Sequence, residues 1–199
     1  MKQKLAFILI LSFALINANA QRIGIKAGVN LANARYEYTQ TSISTTNLIG
    51  FQAGLIGELP LSDALYVNSG ALFTMKGTKL SLMGFEMDFP VNYVEVPLYL
   101  AYKYDLGVLK LYAQAGPYLG VGVSAKMKSG SDETTIDFGS ETDQMKRLDY
   151  GANFGAGIEI GAIQVGANYG LGLANTSNDP DETMKNGVLS FTLAFLFGR

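Results

Sequence analysis

The chain has 199 residues, with 15 basic and 17 acidic side chains and neither cysteine nor histidine. Those two absences exclude disulfide frameworks, the usual zinc, iron and copper ligand sets, and any nucleophile that relies on an imidazole base. A net charge of −2 offers no electrostatic footing for nucleic acid, and 16% charged residues beside 23 glycines is a sparse polar content for an exported protein living in water.

In chain order, the first twenty residues read as an export signal. Lys2 and Lys4 precede an apolar run from Leu5 to Ile16, and Ala18-Asn19-Ala20 places small residues where a signal peptidase cuts. The mature chain is therefore expected to begin at Gln21. The run is shorter than the roughly 20 residues a membrane-spanning helix needs. No cysteine follows it to carry a lipid anchor.

Eight segments then alternate with period two, and none shows a helical period. The first, 22 to 31, sets Ile23, Ile25, Ala27, Val29 and Leu31 against Arg22, Gly24, Lys26, Gly28 and Asn30. The second, 48 to 59, opposes Ile49, Phe51 and Leu55 to Gln52, Gly54 and Glu58. The third, 64 to 76, opposes Leu65, Val67 and Phe73 to Tyr66, Asn68 and Lys76. The fourth, from Tyr93 to about Tyr104, opposes Val94, Val96, Leu98, Leu100 and Tyr102 to Tyr93, Glu95, Pro97, Tyr99 and Lys103. The fifth, 109 to 123, has Lys110, Tyr112, Gln114 and Tyr118 on its mixed face, and the sixth, 147 to 160, has Asp149, Asn153 and Glu159. The seventh, 163 to 172, opposes Ile163, Val165 and Tyr169 to Gln164 and Asn168; the eighth, 187 to 197, ends in Leu189, Phe191, Leu193, Phe195 and Phe197.

Segments of this length suit tilted strands across a bilayer, which need about 9–11 residues. Very short turns near Pro60–Asp63, Asp105–Val108 and Gly161–Ala162 alternate with long polar or mixed connections. Short turns on one rim and long loops on the other, with an even strand number, is the plan of outer-membrane barrels, whose termini lie on the periplasmic side. The fold class expected is all-β: a closed antiparallel up-and-down eight-stranded transmembrane β-barrel filling residues 21–199.

The alternative is a soluble lipocalin-like barrel with its bulky face inside. Glycine decides between them. It recurs on the mixed faces, at 50, 54, 70, 116, 120, 151, 155, 157, 166 and 170. A narrow barrel interior has room for glycine beside a few long polar chains, whereas glycine on a solvent face weakens strands with no packing return. The bulky faces therefore point to lipid. The mixed faces then enclose Lys26, Glu58, Lys76, Glu95, Lys103, Lys110, Asp149, Asn153 and Glu159, joined by Arg147 and by Tyr66, Tyr93, Tyr99, Tyr112 and Tyr118. Charges of both signs confined together must pair or hold water, so a salt-bridged plug is expected rather than an open pore; an ion or proton path is the alternative. Tyr102, Tyr104, Tyr150 and Tyr169 are candidates for interfacial belts. Pro97, placed opposite Gly116 by a turn at Asp105–Val108, is expected to force a bulge or a local bend, because proline gives the ladder no N–H.

Among the loops, 33 to 46 is rich in Ser and Thr and carries no motif. Residues 77 to 90 hold Leu80, Leu82, Met83, Phe85, Met87 and Phe89: either an exposed apolar patch or, as the simpler reading has it, two strands continuing above the membrane and turning near Met83–Gly84. The acids at Asp132, Glu133, Asp137, Glu141 and Asp143, and at Asp179, Asp181 and Glu182, lack the spacing of a calcium loop and read as solvated charge. Asn175-Thr176-Ser177 fits a glycosylation sequon, a weak signal in a bacterial setting.

GIKAGVNLA, VPLYLAYKY, YAQAGPYLGV, FGAGIEIG and YGLGL together resemble the PorT-like outer-membrane β-barrel family of Gram-negative bacteria, over nearly the whole mature chain. The resemblance implies an eight-stranded barrel delivered through the periplasm, inserted by the outer-membrane assembly machinery and surrounded by outer-membrane lipid. The family's namesake is linked to protein secretion, and no functional residue carries over. The function expected is a non-enzymatic surface or scaffold protein without cofactor or metal, whose long loops bind an external partner. The alternatives are an accessory part of a secretion or envelope-assembly system and, less favoured without histidine, an outer-membrane enzyme or small pore.

Overall fold

The computed structural model describes residues 21–38, 45–82, 85–130, 132–142, 144–180 and 182–198. The expected export signal lies outside them, as do Asp143, Asp181 and the Met83–Gly84 turn. The strands are β1 (Arg22–Tyr38), β2 (Thr45–Thr46), β3 (Leu48–Pro60), β4 (Leu65–Leu82), β5 (Phe85–Asp105), β6 (Lys110–Ser129), β7 (Asp132–Ile136), β8 (Leu148–Ile160), β9 (Ile163–Gly172) and β10 (Glu182–Phe197). Eight of them form the wall, in the order β1-β3-β4-β5-β6-β8-β9-β10, all antiparallel. β10 pairs back onto β1 from Ile23–Phe197 to Tyr38–Glu182, so the ring closes. β2 and β7 are short additions to β4 and β6.

Period two fixes which face is which, because a one-residue slip would exchange them on a whole strand. Outward side chains such as Ile25, Ile49, Leu55, Leu100, Phe154, Phe191 and Leu193 are exposed on every side of the ring. A continuous apolar wall of that extent is untenable in water and is the lipid-facing band of an outer-membrane barrel. Tyr102 and Tyr104 mark its short-turn end, Tyr150 and Tyr169 its long-loop end, and all four are about half exposed. The mixed faces turn inward and are buried, with Glu58, Lys76, Glu95, Lys103, Asp149 and Glu159 each under a tenth exposed. One glycine pair shows why the interior needs them. Gly157 and Gly166 face each other across β8 and β9, and a Cβ on either would meet the Tyr112 ring or hydroxyl at 2.7 and 2.1 Å. The pair is a seat for that ring.

Several strands run further at the long-loop end than alternation indicates. β1 reaches Tyr38, absorbing the start of the supposed 33–46 loop, and 39–44 lie outside the described residues. β4 continues to Leu82 and β5 starts at Phe85, paired with each other, which is the strand continuation that the simpler reading of 77 to 90 expects.

The β5–β6 register differs from expectation by two residues. Asp105 pairs with Lys110 around Leu106–Leu109, which puts Pro97 opposite Tyr118 rather than Gly116. No bulge forms at Pro97. Pairing instead skips from Ser69–Leu98 to Leu72–Glu95 on one side and from Pro97–Tyr118 to Leu100–Ala115 on the other, in constant register. The Pro97 carbonyl accepts from Ser69 Oγ at 2.7 Å. Proline's missing N–H thus costs ladder bonds without shifting strands. The bulge lies between Asn92 and Tyr93, where β6 carries the extra residue Val123. That residue reverses the facing of the strand beyond it and turns Ala125 inward.

Candidate functional site in the barrel lumen

Two ion clusters and a polar middle layer fill the lumen. Near the short-turn rim, Lys103 Nζ lies 2.5 Å from both Glu58 Oε2 and Glu159 Oε2. Arg22 Nη1 lies 3.1 Å from Glu58 Oε1 and 2.5 Å from Glu159 Oε1. Arg22 also donates to the Gly161 carbonyl at 3.1 Å, and Gln164 donates to Glu159 at 2.7 Å. The Lys103 ammonium stands 4.5 Å from the centre of the Tyr66 ring. Two cations and two carboxylates from β1, β3, β5 and β8 therefore tie strands that are not neighbours.

Deeper toward the long loops, Lys76 Nζ lies 2.6 Å from Glu95 Oε2 and 3.0 Å from Asp149 Oδ2. It stands 4.0 Å over the Tyr118 ring and 5.4 Å from that of Tyr93. Asn186 donates to Asp149 at 3.1 Å, and Asn153 donates to the Tyr99 hydroxyl at 2.9 Å and to Glu95 at 3.4 Å. Between the clusters, Asn30 donates to Thr74 at 2.9 Å and accepts from Gln52 at 3.1 Å and Ser190 at 2.9 Å. Gln114 donates to Asn168, which donates to Thr192.

Lys26 belongs to this middle level. Among the described residues it has no carboxylate within ion-pair distance, yet it borders two small cavities, one lined by Glu58 and Gln164 and the other by Lys76 and Glu95. Each is about 20 Å³, room for about one water. With Lys26 counted, Arg22, Lys26, Lys76 and Lys103 balance Glu58, Glu95, Asp149 and Glu159. That balance is what a confined, weakly hydrated space requires, since an uncompensated buried charge costs several kcal/mol, about 3–5 when one partner of a pair is removed.

Of the sequence-derived set, Lys26, Glu58, Lys76, Glu95, Lys103, Asp149, Asn153 and Glu159 lie in this lumen. Lys110 does not join them. It stands at the rim, 3.4 Å from Asp105, because the strand begins there and the chain reaches solvent sooner than the lumen. Arg147 is also outside, exposed, with its guanidinium 5.2 Å from the Phe138 ring. Arg22, Gln164, Asn30 and Gln52 are members that the residue pattern placed on the right face without marking as partners. The signal for Arg22 is its register opposite Glu58, which a connection as long as 39–47 does not fix.

The two ends differ. At the long-loop end Ala34, Val91, Tyr93, Ala125, Met145 and Met184 form a buried apolar cluster, with Ile136 and Phe138 packed on it. The segment carrying Phe138 and Met145 is held by Met145 N donating to Asp137 O at 3.0 Å, by a bridge between Phe138 and Met145, and by one from Met145 to Ser177. It caps the mouth. At the short-turn end a vestibule of about 740 Å³ stays open, lined by Arg22, Pro60, Tyr66, Lys110, Glu159 and Leu196 among others. Chemically, the lumen's carboxylates are engaged by cations or amides. No three acidic side chains among the described residues converge as a metal site.

Comparison with known proteins agrees with this architecture. A family model described as outer membrane protein beta-barrel domain matches residues 16–178. Neisserial surface protein A is similar in structure, at 14% identity over 92% of this chain and 100% of that one, with a TM-score of 0.50. Ail, the attachment invasion locus protein of Yersinia pestis, has 18% identity over 89% of this chain and 99% of that one, TM-score 0.45. The N-terminal barrel of Pseudomonas aeruginosa OprF has 12% identity over 88% and 97%, TM-score 0.42. Among curated proteins nothing matches. At 14% identity, the likeness to Neisserial surface protein A speaks to fold alone.

Proposed function

The chain belongs to the outer membrane protein beta-barrel domain family, and from that premise we propose that it is a non-catalytic surface scaffold of the Gram-negative outer membrane. Its plugged lumen holds the wall rigid so that the long loops are presented outside the cell. In this reading the signal is cleaved near Ala20, the assembly machinery inserts the barrel, and both termini face the periplasm. The observation that carries it is the lumen itself: cross-strapped by ion pairs, with interior spaces of about 20 Å³ and a capped mouth. A barrel so filled has little to offer a solute and leaves its rims as the surfaces that can act.

Two measurements test it. In planar bilayers the purified barrel is expected to give no large, stable conductance steps, and such steps would overturn the plug. A single cysteine at Ser129, in the long-loop hairpin, is expected to label from outside intact cells while one at Val108, in a short turn, is not; the reverse pattern would overturn the orientation.

A second reading is supported by the vestibule at the short-turn rim. There the PorT-like resemblance would make the protein an accessory of a secretion or envelope-assembly system, meeting its partner from the periplasm. Photocrosslinking separates the two. Capture through Val108 and none through the Ser129 hairpin would reject the loop-presenting scaffold.

A further inference from the structure

On the outer wall of the barrel, where β1, β10 and β9 meet, two cations face each other across one strand pair. Arg35 on β1 is in register with Lys185 on β10. Both lie on the lipid-facing parity of their strands, the one that carries Leu31 and Leu189 lower down. Among the described residues neither makes an ion pair with a carboxylate. Like charges directly opposite on adjacent strands repel, so this arrangement is unfavourable unless something anionic lies between them.

A depression of about 260 Å³ sits at that place, lined by Asn33, Arg35, Tyr169, Leu171, Lys185 and Gly187 among others. Gly187 helps to keep it open. A Cβ there would meet only the Tyr169 hydroxyl and the Asn33 carbonyl, at 3.6 and 3.7 Å, so the backbone would tolerate a side chain and the space exists because none is present. Height along the wall fixes what the depression meets. Arg35 is four residues beyond Leu31 on a tilted strand, which puts it roughly 10 Å above the last large apolar residue of β1. That is headgroup level, just beyond the tyrosine belt marked by Tyr169.

We infer that Arg35 and Lys185 form a binding site for the phosphate of a phosphorylated glycolipid in the outer leaflet, with its acyl chains lying down the wall over Leu189 and Phe191. The guanidinium offers a planar pair of donors to phosphate oxygens and the ammonium a point charge opposite. One phosphate between them turns the mutual repulsion into two attractions. Tyr169 supplies a ring and a hydroxyl at the boundary where sugar gives way to acyl chain.

The inference rests on the outward orientation of the long loops proposed above, so its test is made in detergent micelles, which have no sidedness, while cysteine labelling on intact cells tests the orientation separately. The purified full chain is incubated with bisphosphorylated lipid A, and retention after washing is measured by native mass spectrometry. Arg35→Gln with Lys185→Gln is expected to weaken retention about 30-fold, as two surface cations would. Gly187→Val, which fills the depression and keeps both charges, is expected to weaken it as well. Lys126→Gln with Lys128→Gln, removing the same charge from a loop hairpin, is expected to leave it unchanged, and heat-modifiable gel migration checks that each variant is folded. Unchanged retention in the Arg35/Lys185 variant overturns the site. So does equal loss in the loop variant, retention of dephosphorylated lipid A or phosphatidylglycerol as strong as that of lipid A, or full displacement by millimolar inorganic phosphate, which would mark a site for free anions.

Discussion

At the short-turn rim, Glu58 and Glu159 each meet two cations, Lys103 and Arg22. Beneath the cap, Lys76 alone meets Glu95 and Asp149, and the rest of their support comes from amides and tyrosine hydroxyls. The first cluster is redundant: each carboxylate keeps a cation if the other is lost. The second hangs on one ammonium, with Lys26 supplying the balancing charge from a distance. Two clusters of similar burial in one lumen should therefore respond very differently to loss of a lysine.

The largest effect is expected from Lys76→Met. It leaves two buried carboxylates without an ion-pair partner, and unfolding in urea from detergent micelles is expected to show a loss of about 3–5 kcal/mol. Lys103→Met should cost about 1–3 kcal/mol, because Arg22 still bridges Glu58 and Glu159 through charged hydrogen bonds. Equal losses at the two sites would break the comparison. Lys26→Met should cost under about 1 kcal/mol, since the lost counter-charge is offset by no longer burying an ammonium that lacks a close partner; a loss as large as that of Lys76→Met would show that the upper cluster draws on Lys26 directly.

The smallest effect lies at the rim. The backbone N–H of Gly107, 2.7 Å from Asp105 Oδ1, with lesser help from Lys110, holds that carboxyl below its ordinary range. A lowered value means the turn is favoured while aspartate is ionised, and the benefit fades as pH falls through the folded-state value. Asp105→Asn is expected to give up that small benefit at neutral pH and to match the native chain at acidic pH, which parallel urea curves at the two pH values would resolve.

The wall of the barrel was readable because alternation and glycine placement report local facts: which side chains share a face, and which face has room. Glu95 and Lys76 could be assigned to the interior from parity alone. What parity cannot supply is register. Arg22 finds Glu58 only through the β1–β3 pairing, and the two-residue error at Pro97 arose from the turn, where Asp105 pairs with Lys110 and four residues loop out. The cap was illegible for a different reason. Phe138 and Met145 lie in irregular chain with no period to read, and their burial depends on Tyr93 and Met184 from distant strands. Above the membrane, Leu80 and Leu82 alternate with Lys79 and Ser81, and Phe85, Met87 and Phe89 with Glu86 and Asp88, so the continuation of β4 and β5 was legible in the pattern and the pairing added their register.

The pairing of β1 with β10 has a consequence in time. Every other wall contact joins segments that follow one another, but this seam joins the first strand to the last. The barrel cannot seal until its final strand has arrived, and until then two strand edges carry open N–H and C=O groups beside a bare apolar wall. Transit to the membrane is thus the chain's most vulnerable interval, and whatever escorts it must shield those edges and release them together at the moment of closure.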